Sequence, residues 1–236
     1  MPETTIAVIL AGGVGARVAA ETPKQFLELN GVPVLVRTVT SVLGCDRVML
    51  VYHPDYLDLT HDLLERASLA SGVELVPGGA TRRQSIAAAL EALADADDDV
   101  AIVLQNAASP NTPRQLVEAC LDGLSTHDVV VAYVRAVHTI FSHDGRELAE
   151  VLPRGSLGYT ADPNVYRLGC LRRIAAAQAE SGGAGEMTID TARALGIPVL
   201  LVPSPETNLK LTTSNDLIVL QALFASADEG SSGAHA

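Results

Sequence analysis

Short apolar runs alternate with longer amphipathic segments along most of the chain. The apolar runs end at glycine, proline or polar residues and predict buried strands at 5–10, 47–53, 73–79, 99–107, 128–134 and 197–203. The segments between them carry apolar residues at helical spacing and predict helices at 34–44, 56–70, 82–96, 112–124, 164–181, 188–196 and 213–225. Strands and helices that alternate through short connections indicate right-handed crossovers. We therefore expect an α/β fold, with a Rossmann-like, mostly parallel sheet and helices on both faces.

The alternation of strands and helices is interrupted between about 136 and 163. Asp144-Gly145 is a turn signal with alternating residues on both sides, which predicts a protruding β-arm. Because the strand–helix pattern resumes afterwards, we expect one domain over 1–226, followed by a flexible tail at 227–236. No apolar stretch approaches membrane-spanning length and no basic segment precedes the first strand, so we expect neither a membrane anchor nor a signal peptide.

The composition restricts the kind of core and the kind of partner. Hydrophobic residues make up 48% of the chain but aromatic residues only 3%, which favours a helix-covered parallel sheet over a carbohydrate-stacking module. The formal net charge of -12 argues against nucleic acid or an anionic membrane as a partner. Cys45, Cys120 and Cys170 are odd in number and widely spaced, which predicts packed thiols in a reducing cytoplasm.

The first predicted strand ends in a glycine loop within VILAGGVGARV, residues 8–18. The loop does not match a P-loop, which would need Gly-Lys followed by Ser or Thr at its end. It matches a dinucleotide-binding loop poorly, because that motif would need glycine where Val18 stands. A tight turn without a ligand remains as the alternative. Two nearby cations favour a ligand: Arg17, and Lys24 in PKQFL, which together with Lys210 makes up all the lysine of the chain. Backbone N–H groups and clustered cations suit a nucleoside triphosphate.

Four segments together resemble the 2-C-methyl-D-erythritol 4-phosphate cytidylyltransferase family and the related ribitol 5-phosphate cytidylyltransferases. In chain order they are ILAGGVGARV, PKQFLELNGVPVLVRTV, GGATRRQSI and NLKLTTSNDL. Each motif alone is a weak indication, whereas the ordered combination is specific. The resemblance implies a fold of the nucleotide-diphospho-sugar transferase type and transfer of CMP from CTP to a sugar or polyol phosphate, with release of pyrophosphate. It also implies a role in isoprenoid biosynthesis, a magnesium ion, and a homodimer formed through the β-arm.

The resemblance also implies roles for individual residues. The expected catalytic residues are Arg17, Lys24, Arg154 and Lys210. The residues expected to bind the substrates are Ala11, Gly12, Gly13, Gly15, Gly79, Arg82, Ser85, Asn106 and Thr139. Arg82 and Ser85 match a segment that contacts the cytosine and ribose, while Thr139 and Arg154 belong to the arm and would contact the acceptor in a second subunit. The expected magnesium ligands are Asn106 and Glu206.

The chain departs from the family after the fourth predicted strand. The family carries HDAARP where this chain carries QNAASP, so Asn106 replaces an aspartate and Ser109 an arginine. The family's TPQ corresponds to TADP at 160–163, and Thr207 stands where an aspartate precedes the NLK segment. An amide oxygen is a weaker ligand for a hard cation than a carboxylate.

The sequence favours the first of three functions, because the residues expected to bind CTP are retained together. The first is an active cytidylyltransferase whose acceptor is similar to 2-C-methyl-D-erythritol 4-phosphate. The second is a catalytically degenerate relative with a nucleotide-binding, regulatory or scaffolding role. The third is a cytidylyltransferase for ribitol 5-phosphate or another polyol phosphate.

Overall fold

A seven-stranded sheet forms the centre of the protein. The structure is a computed structural model that describes residues 3–12, 22–180 and 188–232, with side chains described as far as residue 226. The strands are β1 (Thr5–Ala11), β2 (Glu28–Leu29), β3 (Val32–Pro33), β4 (Arg47–Tyr52), β5 (Val73–Pro77), β6 (Ala101–Asn106), β7 (Val129–Arg135), β8 (Ile140–His143), β9 (Leu148–Leu152), β10 (Gly158–Arg167) and β11 (Val199–Pro203). The main sheet has the order β11-β7-β10-β6-β1-β4-β5, and β10 runs antiparallel to both of its neighbours.

The helices connect the strands as the sequence pattern predicts. They are α1 (Val34–Ser41), α2 (Leu57–Arg66), α3 (Arg82–Ala92), α4 (Arg114–Gly123), α5 (Leu168–Glu180), α6 (Thr188–Ala194) and α7 (Ser214–Ser232). The expected α/β fold with a mostly parallel sheet is confirmed. α7 continues into the segment that was predicted to be a tail. None of the helices in the described ranges has the length and apolar character needed to cross a bilayer.

Both faces of the sheet are covered by helices. Successive side chains of β1 point to opposite faces, and the whole strand is buried. Ala7 and Ile9 join a core with residues of α1, α2 and α4. Ile6 and Val8 join a second core with residues of α3, α5 and α6. Burial on both faces explains why the strand sequences are continuously apolar instead of alternating.

The prediction of a helix over 164–181 is wrong at its N-terminal end. Residues 158–167 form β10 in the middle of the sheet, and the helix begins only at Leu168. Val165 and Tyr166 are fully buried between β6 and β7, so their side chains show no alternation that would mark a strand. Hydrogen bonds to two strands that are distant in sequence therefore decide the structure of this segment.

The β-arm is present but shorter than predicted. β8 and β9 pair antiparallel from Ile140 to Leu152, on either side of the predicted turn at Asp144-Gly145. Gly145 adopts a φ of 117°, which favours glycine at this position. Residues 158–163, which were predicted to belong to the arm, lie in β10.

Buried thiol and phenol groups predict a loss of stability in alkaline solution. Burial raises the pKa of Cys120 from 9.0 to about 12 and the pKa of Tyr166 from 10.0 to about 12. The unfolded chain releases these protons at lower pH than the folded protein does. The contribution of the two protonated groups to the free energy of unfolding is therefore complete below about pH 9 and is lost as the pH rises towards about 12. We expect the urea midpoint of unfolding to fall above about pH 9, and to fall less steeply in Cys120→Ala. If the urea midpoint fell equally steeply with pH in both proteins, ionisation of Cys120 would not be the cause.

Candidate active site

A cavity of about 480 Å³ opens at the carboxyl ends of β1 and β6. Ligands of parallel α/β sheets bind at this edge. Five segments meet there: the end of β1, the 3-10 helix Lys24–Phe26, the beginning of α3, the end of β6 with its following loop, and the segment that precedes α7. The residues that line the cavity are Leu10, Ala11, Gly12, Lys24, Gln25, Ala80, Thr81, Arg82, Ser85, Asn106, Ala107, Ala108, Lys210 and Thr212.

The lining is positively charged although the chain as a whole is acidic. Lys24, Arg82 and Lys210 line the cavity, and no acidic residue does so within the part of the chain that the structure describes. Lys24 and Lys210 are all the lysine that the sequence contains. In a chain with a net charge of -12, this cluster gives the cavity a local positive potential that attracts a polyanion.

Glycines allow the end of β1 and the loop after β5 to approach α3 closely. A Cβ on Gly12 would lie 2.8 Å from Ser85 Oγ, and a Cβ on Gly79 would lie 2.3 Å from Gln84 Cβ. Thr81 caps α3 because its hydroxyl accepts from Gln84 N at 3.2 Å, while Gln84 Oε1 accepts from Thr81 N at 3.0 Å. The N-terminus of α3 therefore adds the partial positive charge of the helix dipole to the cavity wall.

Gln25 attaches the 3-10 helix Lys24–Phe26 to the sheet. Its side chain is buried, and Gln25 Nε2 donates to the carbonyl oxygen of Ala11 at 3.2 Å. Phe26 belongs to the same core cluster as Ala11. These contacts place Lys24 beside the end of β1.

Lys210 lies in a segment that is bonded to the loop after β6. The backbone N–H of Leu211 donates to the carbonyl oxygen of Ala108 at 2.8 Å. The buried side chain of Asn208 accepts from Thr112 Oγ1 at 3.1 Å. The segment is thereby held at the cavity, and Lys210 faces the same space as Lys24.

A polar network lies behind Arg82. Arg82 Nη1 donates to Asn106 Oδ1 at 2.9 Å. Asn106 Nδ2 donates to the two carboxylate oxygens of Asp162 at 2.7 and 2.8 Å, and the Ser109 hydroxyl donates to Asp162 Oδ2. Asp162 was not among the predicted site residues. No local sequence pattern marks it, because its partners Asn106 and Ser109 lie 56 and 53 positions away in the chain.

Most of the predicted site residues in the described ranges lie together. Those that line the cavity are Ala11, Gly12, Lys24, Arg82, Ser85, Asn106 and Lys210. Gly79 does not line it, but its carbonyl oxygen accepts from Ser85 Oγ at 3.5 Å. The predictions for Gly13, Gly15 and Arg17 concern positions outside the described residues.

The remaining predicted residues lie away from the cavity of this chain. Thr139 and Arg154 are exposed near the arm, and Arg154 Nη1 donates to the carbonyl oxygen of Val137 at 3.2 Å. Glu206 is exposed and does not line the cavity. Their roles stay predictions.

The mostly parallel sheet and the cationic cavity beside a helix N-terminus define a class: a nucleotide-binding α/β protein with a Rossmann-like fold. The family model for 2-C-methyl-D-erythritol 4-phosphate cytidylyltransferase (IspD) matches residues 5–226. The chain belongs to this family, as its motifs predicted.

Relatives and solved structures agree with this family. The chain is 34% identical to the 2-C-methyl-D-erythritol 4-phosphate cytidylyltransferase of Thermobifida fusca, over 92% of each protein. It is 31% identical to the ribitol-5-phosphate cytidylyltransferase of Streptococcus agalactiae, over 93% of this chain and 95% of that protein. The bifunctional enzyme IspD/IspF of Rhodobacter capsulatus is 32% identical over 94% of this chain, which spans 56% of that enzyme's length. The crystal structure of the 2-C-methyl-D-erythritol 4-phosphate cytidylyltransferase from Thermus thermophilus superposes with a TM-score of 0.73 at 25% identity, covering 92% of this chain and 97% of that chain.

Proposed function

We propose that this protein is a cytidylyltransferase that transfers CMP from CTP to a polyol phosphate similar to 2-C-methyl-D-erythritol 4-phosphate. Family membership over residues 5–226 supports the reaction. The structural observation that carries the proposal is the convergence of Lys24, Arg82 and Lys210 on one cavity whose described lining contains no acid. Such a cavity is complementary in charge to a nucleoside triphosphate.

The reaction requires positioning and charge stabilisation rather than a covalent enzyme intermediate. A phosphate oxygen of the acceptor attacks the α-phosphorus of CTP in line. As the new P–O bond forms, the bond to the bridging oxygen breaks and its electrons leave with pyrophosphate. Lys24 stabilises the charge that develops on the leaving group, and Lys210 stabilises the α-phosphate. Arg82 and Ser85 hold the cytidine part of the substrate.

The described residues do not form a protein-held magnesium site. The Asn106 oxygen accepts from the Arg82 guanidinium, and both oxygens of Asp162 accept from neighbouring side chains. Glu206 is exposed and outside the cavity lining. Within the described ranges there is also no group of three or more His, Cys, Asp or Glu residues that could hold a metal ion. Magnesium therefore enters our proposal only as an ion that accompanies the phosphates of CTP.

We also propose that two copies of the chain associate through the arm. Large apolar side chains on and beside this two-stranded hairpin are exposed, which supports a contact with another protein surface. They are Val137, Phe141, Leu148, Val151 and Tyr159. In such a dimer, Thr139 and Arg154 would reach the acceptor side of the partner's cavity.

The acceptor and the compartment are part of the same proposal. Relatives named for 2-C-methyl-D-erythritol 4-phosphate and for ribitol 5-phosphate are both similar to this chain, and we propose the first as its acceptor. The three cysteines are free thiols, which supports a reducing cytoplasm.

A pyrophosphate-release assay tests the proposed reaction. Purified protein with CTP and Mg²⁺ should release pyrophosphate faster with 2-C-methyl-D-erythritol 4-phosphate than with ribitol 5-phosphate, and UTP in place of CTP provides the nucleotide control. The reverse preference would identify a ribitol 5-phosphate enzyme. CTP binding in calorimetry without release from either acceptor would instead support the catalytically degenerate alternative.

A further inference from the structure

Asp162 differs from the other acidic residues that the structure describes because its side chain is buried. Only 6% of its surface is exposed, and every other Asp or Glu in the described ranges is more exposed. A buried carboxylate is costly unless its oxygens accept hydrogen bonds. Asp162 meets this condition through Asn106 and Ser109, and no Lys or Arg side chain in the described ranges donates to its carboxylate.

Asn106 lies between a group that only donates and a group that only accepts. Arg82 donates to Asn106 Oδ1, and the Asp162 carboxylate accepts from Asn106 Nδ2. A guanidinium has no acceptor and a carboxylate has no donor, so the amide satisfies both neighbours in one orientation only. Without Asp162, only the contact with Arg82 would favour this orientation, and the Asn106 NH₂ group would lose the acceptor that holds it.

The backbone of β10 brings Asp162 to this position. The pairing register of β10 with β7 shifts between Thr160 and Asn164, so Asp162 lies on an irregularity of the strand. Irregularities of this kind redirect individual side chains. The carbonyl oxygen of Asp162 also accepts from Asn208 Nδ2 at 2.6 Å, which connects it to the segment that carries Lys210.

We propose that Asp162 is a positioning residue for nucleotide binding, which acts through Asn106 by fixing the amide oxygen that holds the Arg82 guanidinium at the cavity wall. The inference rests on the proposed function, in which Arg82 binds the nucleotide. Asn106, Ser109 and the TADP segment all depart from the family motifs, and the structure shows these departures in mutual contact. A carboxylate in place of the Asn106 amide would face Asp162 at hydrogen-bonding distance, so an amide at 106 matches an acid at 162.

Exchange of the two side chains tests the inference. We expect Asp162→Ala and Asn106→Asp each to raise the Kd for CTP about tenfold, because the amide loses its orientation in the first and two carboxylates face each other in the second. The double variant Asn106→Asp/Asp162→Asn again presents one carboxylate and one amide, with the carboxylate facing Arg82. Its Kd should return to within about threefold of wild type. Asp98→Asn, which alters an exposed carboxylate that pairs with Arg172, provides the control and should leave the Kd unchanged.

The Kd for CTP, from calorimetry, and the free energy of unfolding in urea should be measured for the wild type and the four variants. Rescue of CTP affinity by the double variant supports positioning. If Asp162→Ala binds CTP with wild-type affinity, the positioning role is wrong. It is also wrong if the double variant regains stability but binds CTP no better than Asn106→Asp, and Asp162 then has a structural role only. A wild-type protein that binds no CTP overturns the proposed function as well, which separates the two failures.

Discussion

Replacement of Lys24 by alanine should lower kcat about 10²–10³-fold, the usual cost of removing one preorganised charge-stabilising group. Lys24 lies in the cavity lining beside the end of β1. In the proposed reaction it stabilises the charge on the departing pyrophosphate. Because the change removes a charge at the cavity and no core packing, the free energy of unfolding should change by less than about 1 kcal/mol. Steady-state pyrophosphate release and urea unfolding measure the two quantities.

Arg66→Ala is the matched control for Lys24→Ala. Arg66 is an exposed cation on α2 whose Nη2 lies 2.6 Å from Asp62 Oδ2, outside the cavity lining. Surface pairs of this kind contribute at most about 1 kcal/mol, and kcat should remain at the wild-type value. If activity and stability of Lys24→Ala decreased in parallel, Lys24 would be a structural residue and not a catalytic one.

Tyr166→Ala should destabilise the protein by about 3–5 kcal/mol, which is typical of the loss of a large buried side chain. Tyr166 is fully buried on β10, and its hydroxyl forms a 2.6 Å hydrogen bond with Thr188 Oγ1. The variant leaves a cavity between the sheet and α6 and deprives the buried Thr188 of its partner. Urea unfolding followed by circular dichroism gives the free energy.

An exposed strand residue outside the proposed dimer contact provides a control for Tyr166→Ala. Leu201 lies on β11 at the edge of the sheet and is 55% exposed, so Leu201→Ala should change the free energy of unfolding by no more than about 0.5 kcal/mol. Similar losses in the two variants would mean that residues 164–167 do not occupy the centre of the sheet.

The chemistry of the cavity could be predicted to a large extent from the sequence. Lys24, Arg82, Ser85 and Lys210 could be identified because short motifs beside predicted strand ends carry them, and all four line one cavity. Asp162 could not be identified in this way. Its partner Asn106 is 56 positions away in the chain, and no local pattern reports a contact of that kind.

By itself, the sequence determined the α/β class, the approximate position of six strands in the main sheet, the family and most of the cationic groups, because hydrophobic periodicity and short motifs are local properties. The tertiary structure decided the rest. It inserted β10 antiparallel between β6 and β7, and this placed Asp162 behind Asn106 and Arg82. Strand pairing depends on hydrogen bonds and packing between segments distant in sequence, so a run such as NVYR forms a central strand only when β6 and β7 lie on either side of it.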